Sequence, residues 1–532
     1  MVFTLHRYVF RELLKVFVLT TLALTVILSL GSVLRPVQEY GVGPRQVLYL
    51  MLYFLPIALT FVLPMAALFA AALVYGRLAS DNELDACRAS GISLLTLVYP
   101  GLALAIVVAI ANLILSFHMV PTFVHRAESA LKADAKQILF RNIQRRGYFE
   151  PPDGKYLIYA DQADSQNDVL LGVVVTELKG NEIKKIVTAE WAKVSFVARQ
   201  SFNEVEITAY NTYQIGPEDE GGFSVELLPL TKEFPSLLGD DIKFKKIGQM
   251  KQIRDVDLLL FSPIERLARR TYVQLTAEVL AEDIAAGIAR DGYYRLHSGR
   301  KLVRLTAGQC TATDEKVVEL SGDIVVVESD VVTREALWTL QCNKASLHIE
   351  GDELAPTLTM DLQNPRLTRP DGSEDLKMRH IIRGLVLPNM VTNKLAGEDI
   401  LNTIRPASVS SALRKGPSAQ LQNLQNELQR KIDRTLAEIE AEIHSRLVFG
   451  IGCVPVILIG IGLGIILKGG HLLSAFGASS IPAAVLIVCI MMGKNVTKNL
   501  GAQAGSGTVL MWSAVGVLIL LVMGIYHRLL RN

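Results

Sequence analysis

The chain has 532 residues, half of them hydrophobic, with 20% charged and a mean hydropathy of +0.32. That is too apolar for an ordinary soluble enzyme and too charged for a protein confined to lipid, so composition predicts a membrane protein with a substantial aqueous domain. A net charge of +2 lacks the strongly basic balance that points to nucleic acid.

The N-terminus is basic (His6, Arg7, Arg11, Lys15) and runs into an apolar stretch, 16–34. That stretch is long, and Arg35-Pro36 follows where a small-residue cleavage site would stand, so it predicts an uncleaved anchor. Further apolar runs lie at 47–76, 91–117, 447–467, 472–493 and around 509–526. About 20 helical residues cross roughly 30 Å of hydrocarbon, so each run predicts a span. Backbone polar groups find no partner in lipid except each other, so all six are expected to be helices. Pro56 and Pro64 predict kinks in the second, whose freed carbonyls neighbours must satisfy.

No residue from 46 to 76 or from 91 to 117 is charged, yet Arg77, Asp81, Glu83, Asp85 and Arg88 crowd the connection between these runs. Ser80-Asp81-Asn82-Glu83 has the spacing of a capping box, with Ser80 as N-cap and Glu83 at the third helical position. Gly91 suits a left-handed helix end. Together they predict a short helix over 80–90. Ala86, Cys87 and Ala89 permit close approach by another surface. From the residues alone, this element reads either as a plain capped connector or as a contact for a partner that drives motion in the membrane.

Residues 121–446 contain no further run fit to cross a membrane. A polar helix, HRAESALKADAKQILFRNIQ, leads into strand-like pieces such as KYLIYA, LLGVVVTEL and FNEVEITAYNTYQI, rich in β-branched and aromatic residues. Ser262-Pro263-Ile264-Glu265 predicts a helix start and Gly292 its end, giving a helix over 262–291 between two β-rich lobes, about 140–250 and 293–395. A weak internal repeat of strand, polar turn and strand suggests stacked antiparallel hairpins, either an open jelly-roll-like groove or a filled β core. Residues 396–417 read as a linker. Leu421, Leu424, Leu428, Ile432, Leu436, Ile439 and Ile443 then mark one apolar stripe on a long helix that enters the fourth span.

Lys and Arg near the span ends set the orientation. With the N-terminus inside, the inner short segments hold eight (Arg7, Arg11, Lys15, Arg77, Arg88, Lys468, Arg528, Arg531) and the outer short loops four (Arg35, Arg45, Lys494, Lys498). This puts both termini and the 80–90 helix in the cytoplasm and the β-rich region outside. Of five cysteines, Cys310 and Cys342 fall in that region; a disulfide between them and a pair of buried free thiols on neighbouring strands both remain open. No phosphate-binding loop, metal-ligand spacing or catalytic constellation occurs, so no catalytic, cofactor or metal residue is assigned. Energy for any work must come from another chain.

Five features resemble the LptF/LptG family of lipopolysaccharide-export ABC permeases: the basic start LHRYVFRELLK; the segment YGRLASDNELDACRASGIS; the order of three spans, β domain and three spans; EIHSRLVFGIGCVPVILIGIGLGI, with Glu442, His444, Arg446 and Pro455; and Leu500-Gly501 followed by Gly505 and Trp512. The resemblance implies a six-span inner-membrane permease (spans 1–3 in 1–120, spans 4–6 in 447–532) carrying an extracytoplasmic, jelly-roll-like all-β domain with helical insertions over 121–395, joined through 396–446. It implies a cytosolic ABC ATPase dimer, a second permease-like subunit, a periplasmic bridge protein and lipopolysaccharide or a related lipid as partners. Glu83 would contact the ATPase, flanked by Asp81 and Arg88. Arg35, and with less support Arg45, would meet lipid phosphates. The lobe at 293–395 exceeds the family pattern. A membrane scaffold or sensor, or an exporter of another lipid or of a lipoprotein, stands as the alternative.

Overall fold

The computed structural model describes residues 2–40, 44–133, 135–150, 156–179, 182–198, 203–215, 223–234, 241–299, 301–313, 317–330, 335–350, 357–370, 372–395, 399–467, 472–499 and 504–531. Two compact units emerge from its internal contacts: Met1–Val256 with Arg434–Asn532, and Asp257–Asp433.

The first unit opens with α1 (Val2–Tyr40), α2 (Pro44–Ser80), α3 (Glu83–Ala89) and α4 (Leu94–Ile114). A π-helical turn, Leu115–Met119, passes directly into α5 (Val120–Ala133), and α6 (Ala135–Arg146) comes next. Prolines inside these helices leave carbonyls without a helical donor, and at two of them a polar side chain of another helix takes its place. Pro64 leaves the Thr60 carbonyl open, and buried Asn112 of α4 donates to it at 2.6 Å. Pro100 leaves the Thr96 carbonyl open, and His6 Nε2 of α1 lies 2.9 Å from it. One turn further, the Tyr75 hydroxyl sits between the Leu97 carbonyl, to which it donates at 2.9 Å, and the Gly101 N–H, which donates to it at 3.2 Å. A Cβ on Gly101 would collide with Ile461 and meet this hydroxyl at 3.0 Å, so α4 needs glycine there.

Strands β1 (Tyr148–Phe149), β2 (Tyr156–Asp164), β3 (Val169–Lys179), β4 (Glu182–Ala198), β5 (Asn203–Ile215) and β6 (Phe223–Phe234) form one sheet in sequence order, every pair antiparallel. Alternation sends Ile158, Ala160, Val173, Val175, Val187, Ala189, Ile207 and Ala209 into a core shared with Ile138, Leu139, Phe140 and Ile143 of α6. Trp191 and Tyr210, opposite one another in the register, stack with centroids 3.8 Å apart. A 3₁₀ turn, Ile242–Phe244, and α7 (Ile247–Asp255) complete this stretch.

The second unit begins with α8 (Ser262–Asp291), closed as expected by Gly292 in the left-handed region, φ 79°. Its N-cap is Phe261 rather than Ser262, with Pro263 in the first turn. Its strands are β7 (Tyr294–Ser298), β8 (Lys301–Thr306), β9 (Gln309–Thr313), β10 (Val317–Asp330), β11 (Ala336–Glu350), β12 (Thr357–Gln363), β13 (Arg366–Thr368), β14 (Glu374–Leu376) and β15 (Arg379–Val386). Pairing runs β11–β12–β15–β7–β8–β10, and β10 pairs back onto β11, so six strands close a barrel. Leu296, Val303, Leu305, Ile324, Val326, Leu340, Leu347, Leu358, Met360, Leu362 and Leu385 are all fully buried, which fills it. A kink lets β10 leave β8 and pair with β9. Gly322, φ 97°, lies against Gly308, and a Cβ on Gly322 would meet the Gly308 Cα at 3.1 Å. The β-rich region is thus present as expected, its first described sheet an antiparallel meander and its second a closed barrel.

Cys310 on β9 and Cys342 on β11 are free thiols with β10 between them. Strands two apart are separated by about 9–10 Å, beyond the roughly 7 Å limit that a disulfide tolerates between Cα atoms. The strands are therefore not neighbours, and the thiols cannot join.

After β15 comes α9 (Asn389–Lys394), and the stretch expected as a linker holds α10 (Ile400–Thr403) and α11 (Pro406–Ala412). Two carboxylates of α8 fix the backbone just after α11. Glu282 accepts from the Arg414 and Lys415 N–H groups at 2.9 and 3.0 Å, and Glu278 from the Ser418 N–H at 3.1 Å. Ser418 Oγ in turn accepts from the Leu421 N–H at 3.1 Å, starting α12 (Ala419–Ile466). The apolar stripe read from sequence lies on this 48-residue helix, with Leu421, Leu428 and Ile439 buried. Back in the first unit, α13 (Leu472–Asn499) and α14 (Ala504–Arg531) end the described chain. Among the described residues six helices, α1, α2, the α4–α5 rod, α12, α13 and α14, contain segments long and apolar enough to span a membrane.

Candidate functional site

At one end of the first unit, α3 stands between α2 and α4. Its single buried side chain, Leu84, enters a core with Val9 and Leu13 of α1, Leu78 of α2 and Leu94 of α4. The expected capping box is absent. α2 continues through Ser80, and Asn82, in the left-handed region with φ 58°, takes the N-cap without a side-chain hydrogen bond. The long apolar run of α2 carries its helix past the cap signal. The C-terminal end is as expected. Gly91, φ 82°, donates to the Arg88 carbonyl at 2.9 Å and Ile92 to the Cys87 carbonyl at 3.1 Å, a Schellman closure.

Asp81, Asn82, Glu83, Ala86, Arg88, Ala89, Ser90 and Gly91 are exposed. The result is a short rigid helix, keyed into three spans by one leucine, with two carboxylates at its head and alanines on its free surface. Glu12 of α1 extends the charged rim: Lys15 donates to it at 2.7 Å and Arg77 at 3.5 Å. Glu12, missed by sequence reading, sits one helical turn before Lys15 amid a basic start.

A second polar cluster gathers around Arg446 of α12, whose side chain is 5% exposed. Nε donates to Glu442 at 3.0 Å. Nη1 reaches the Ser116 carbonyl at 3.0 Å and the Lys245 carbonyl at 3.3 Å, and Nη2 the Lys243 carbonyl at 2.8 Å. The Ser116 carbonyl is open for a reason in the sequence. In the π turn Val120 donates to Leu115, and the next donor position is Pro121, which has no N–H. One side chain therefore ties α12 to the π turn and to the 3₁₀ segment beyond β6. Glu442 also pairs with Lys494 of α13, and Lys498 pairs with Glu438. Both lysines are thus paired with α12 carboxylates. Trp512 Nε1 of α14 donates to His444 Nδ1 at 3.3 Å, which requires that nitrogen to be unprotonated.

Arg35 falls within α1 and Arg45 in the first turn of α2, but their side chains lie outside those described. Lys468, Leu500 and Gly501 also lie outside the described residues. Glu442, His444 and Arg446 stand together in the sequence, but the partners on other elements lie up to 330 residues away, and nothing local marks them.

Residues 7–247 match the family described as lipopolysaccharide export system permease LptF/LptG. This similarity supports reading the chain as an LptF/LptG-family permease. The match takes in α1 through the first β sheet and stops just past the 3₁₀ turn held by Arg446; the barrel unit and α12–α14 lie beyond it. No curated protein matches the chain. An LptF/LptG permease is a component of the lipopolysaccharide-export ABC transporter, which works with other subunits, and not a catalytic enzyme. The six membrane-length helices and the family match together point to a multi-pass inner-membrane protein.

Proposed function

We propose that the chain is the permease subunit of an ATP-driven transporter that extracts lipopolysaccharide, or a similar anionic glycolipid, from the inner membrane and passes it to an external β domain. ATP is hydrolysed by a separate cytosolic ATPase dimer. A second permease-like subunit, either a sister chain or another copy, completes the cavity, and a periplasmic bridge protein receives the lipid. Both termini face the cytoplasm. Burial on a β surface matters because acyl chains crossing water bare cost about 0.8 kcal/mol per exposed methylene.

One observation carries this reading: α3 presents Asp81, Glu83 and Arg88 to solvent while Leu84 anchors it among α1, α2 and α4. Force applied to such a helix reaches three spans at once. Glu83 makes the central contact with the ATPase, and Asp81 and Arg88 flank it. At the other end of the spans, Arg35 and Arg45 attract lipid phosphates, where scarce water makes Coulomb attraction strong. The Arg446 junction relays span motion to the segment that leaves the first β sheet. Affinity purification from native membranes tests this. Wild type brings down an ATPase, whereas Glu83→Lys, equally stable to heat, loses it at least tenfold. Equal recovery with both chains rejects the coupling role.

A further inference from the structure

The barrel unit lies outside the family match and carries an uncompensated positive face. Neighbouring strands β15, β7 and β8 hold Arg295, Lys301, Arg304, Arg379 and Arg383, and neither Asp nor Glu. Two of these are neutralised, Lys301 by buried Glu328 and Arg379 by Asp361, which accepts from its Nε at 2.8 and 2.9 Å. Arg295, Arg304 and Arg383 make no ion pair among the described residues. Asp291 acts on Arg295 from a distance but is itself held by Arg290 at 3.2 and 3.0 Å.

Arg295 and Arg304 stand directly opposite each other in the β7–β8 register, both exposed. Like charges in that position destabilise a sheet. Their guanidinium carbons lie 5.1 and 5.5 Å from the centroid of one ring, Tyr293, whose hydroxyl also accepts from Arg295. Next to this pair the surface turns apolar. Val386, in register with His297 on β7, is 55% exposed, and Met390 beyond it is 62% exposed. Two unpaired guanidinium forks suit an oxyanion with several acceptor oxygens, and a bordering apolar strip suits a hydrocarbon chain attached to it.

We propose that the outer face of β15, β7 and β8 binds a phosphate-bearing lipid, its phosphate between Arg295 and Arg304 and its chain along Val386 and Met390. This rests on reading the chain as a glycolipid exporter. It adds a second lipid contact, in the unit that exceeds the family match.

The test uses the full chain in amphipol and water-soluble dihexanoyl phosphatidic acid, with hydrogen exchange of β7, β8 and β15 peptides as readout. Saturable protection is expected, at least tenfold weaker in affinity for Arg295→Glu/Arg304→Glu and largely kept by Arg295→Lys/Arg304→Lys. Heat stability of both variants checks their folding. Equal protection of wild type and the glutamate variant overturns the proposal. Equal protection by dihexanoyl phosphatidylcholine means apolar adsorption, and equal affinity for inorganic phosphate means an adventitious ion only; either also overturns it. ATPase co-purification is scored on the same preparation. Protection without an ATPase refutes the exporter reading and keeps the site, whereas an ATPase without protection refutes the site alone.

Discussion

Arg446 of α12 donates from Nη1 to the Ser116 carbonyl at 3.0 Å, across 330 residues of sequence. The bond supplies the donor that Pro121 cannot, and the same guanidinium holds Glu442 and the carbonyls of residues 243 and 245. Removing one partner of a buried ion pair typically costs about 3–5 kcal/mol. Arg446→Met is therefore expected to lower the thermal unfolding temperature in detergent markedly. Arg446→Lys recovers little of it, since an ammonium cannot reach four acceptors on three elements. A melting curve unchanged by Arg446→Met contradicts this.

The proline-freed carbonyl at Thr60 allows a sharper test. Asn112→Leu leaves that carbonyl unpaired, a loss of about 1–3 kcal/mol. Pro64→Ala restores the helical N–H that Thr60 lacks. In the Pro64→Ala background, Asn112→Leu should therefore cost much less, with a coupling in the range of about 0.5–3 kcal/mol. Additive losses in a double-mutant cycle, read by unfolding in mixed micelles, contradict the pairing.

Burial pushes the Cys310 thiol up to about 11, and the Cys342 thiol is also raised by burial. The thiolate is the reactive form, so both thiols are expected to stay reduced and to resist maleimide at neutral pH. Cys310 labelling should climb only as pH approaches 11. Because the native state disfavours the charged thiolate, raising the pH past the ordinary thiol range progressively weakens folding at this site. A Cys310–Cys342 disulfide in a non-reducing peptide map contradicts the strand order.

The orientation of α3 is open to labelling. Ser90→Cys places a thiol on an exposed position beside the Schellman closure. A membrane-impermeant maleimide should leave it unmodified in intact spheroplasts and modify it in inverted vesicles. Reaction in spheroplasts places the helix outside and removes any cytosolic ATPase from the account.

Much of this architecture is visible in the residues. Uncharged runs mark the membrane helices, alternation in VEITAYNTY marks β5, and Gly91 and Gly292 mark two helix ends. Pro64 announces a carbonyl in need of a donor, though not that Asn112 supplies it. The cap at Ser80 misleads because the apolar stretch before it propagates α2 further than a local cap signal can stop it. Barrel closure is hidden for another reason. The pairing of β15 with β7 links residues nearly ninety positions apart through one register pair, Val386 with His297, and nothing local encodes it. Lys494 and Lys498 look like free cations in the sequence because their carboxylates sit on a different helix.

Mass spectrometry of lipid retained by a gently purified complex addresses the transported cargo itself. The account predicts an anionic, phosphate-bearing glycolipid enriched far above its share of the membrane, and severalfold less of it with Arg35→Glu. Bulk phospholipids in membrane proportions, unchanged by Arg35→Glu, would contradict it.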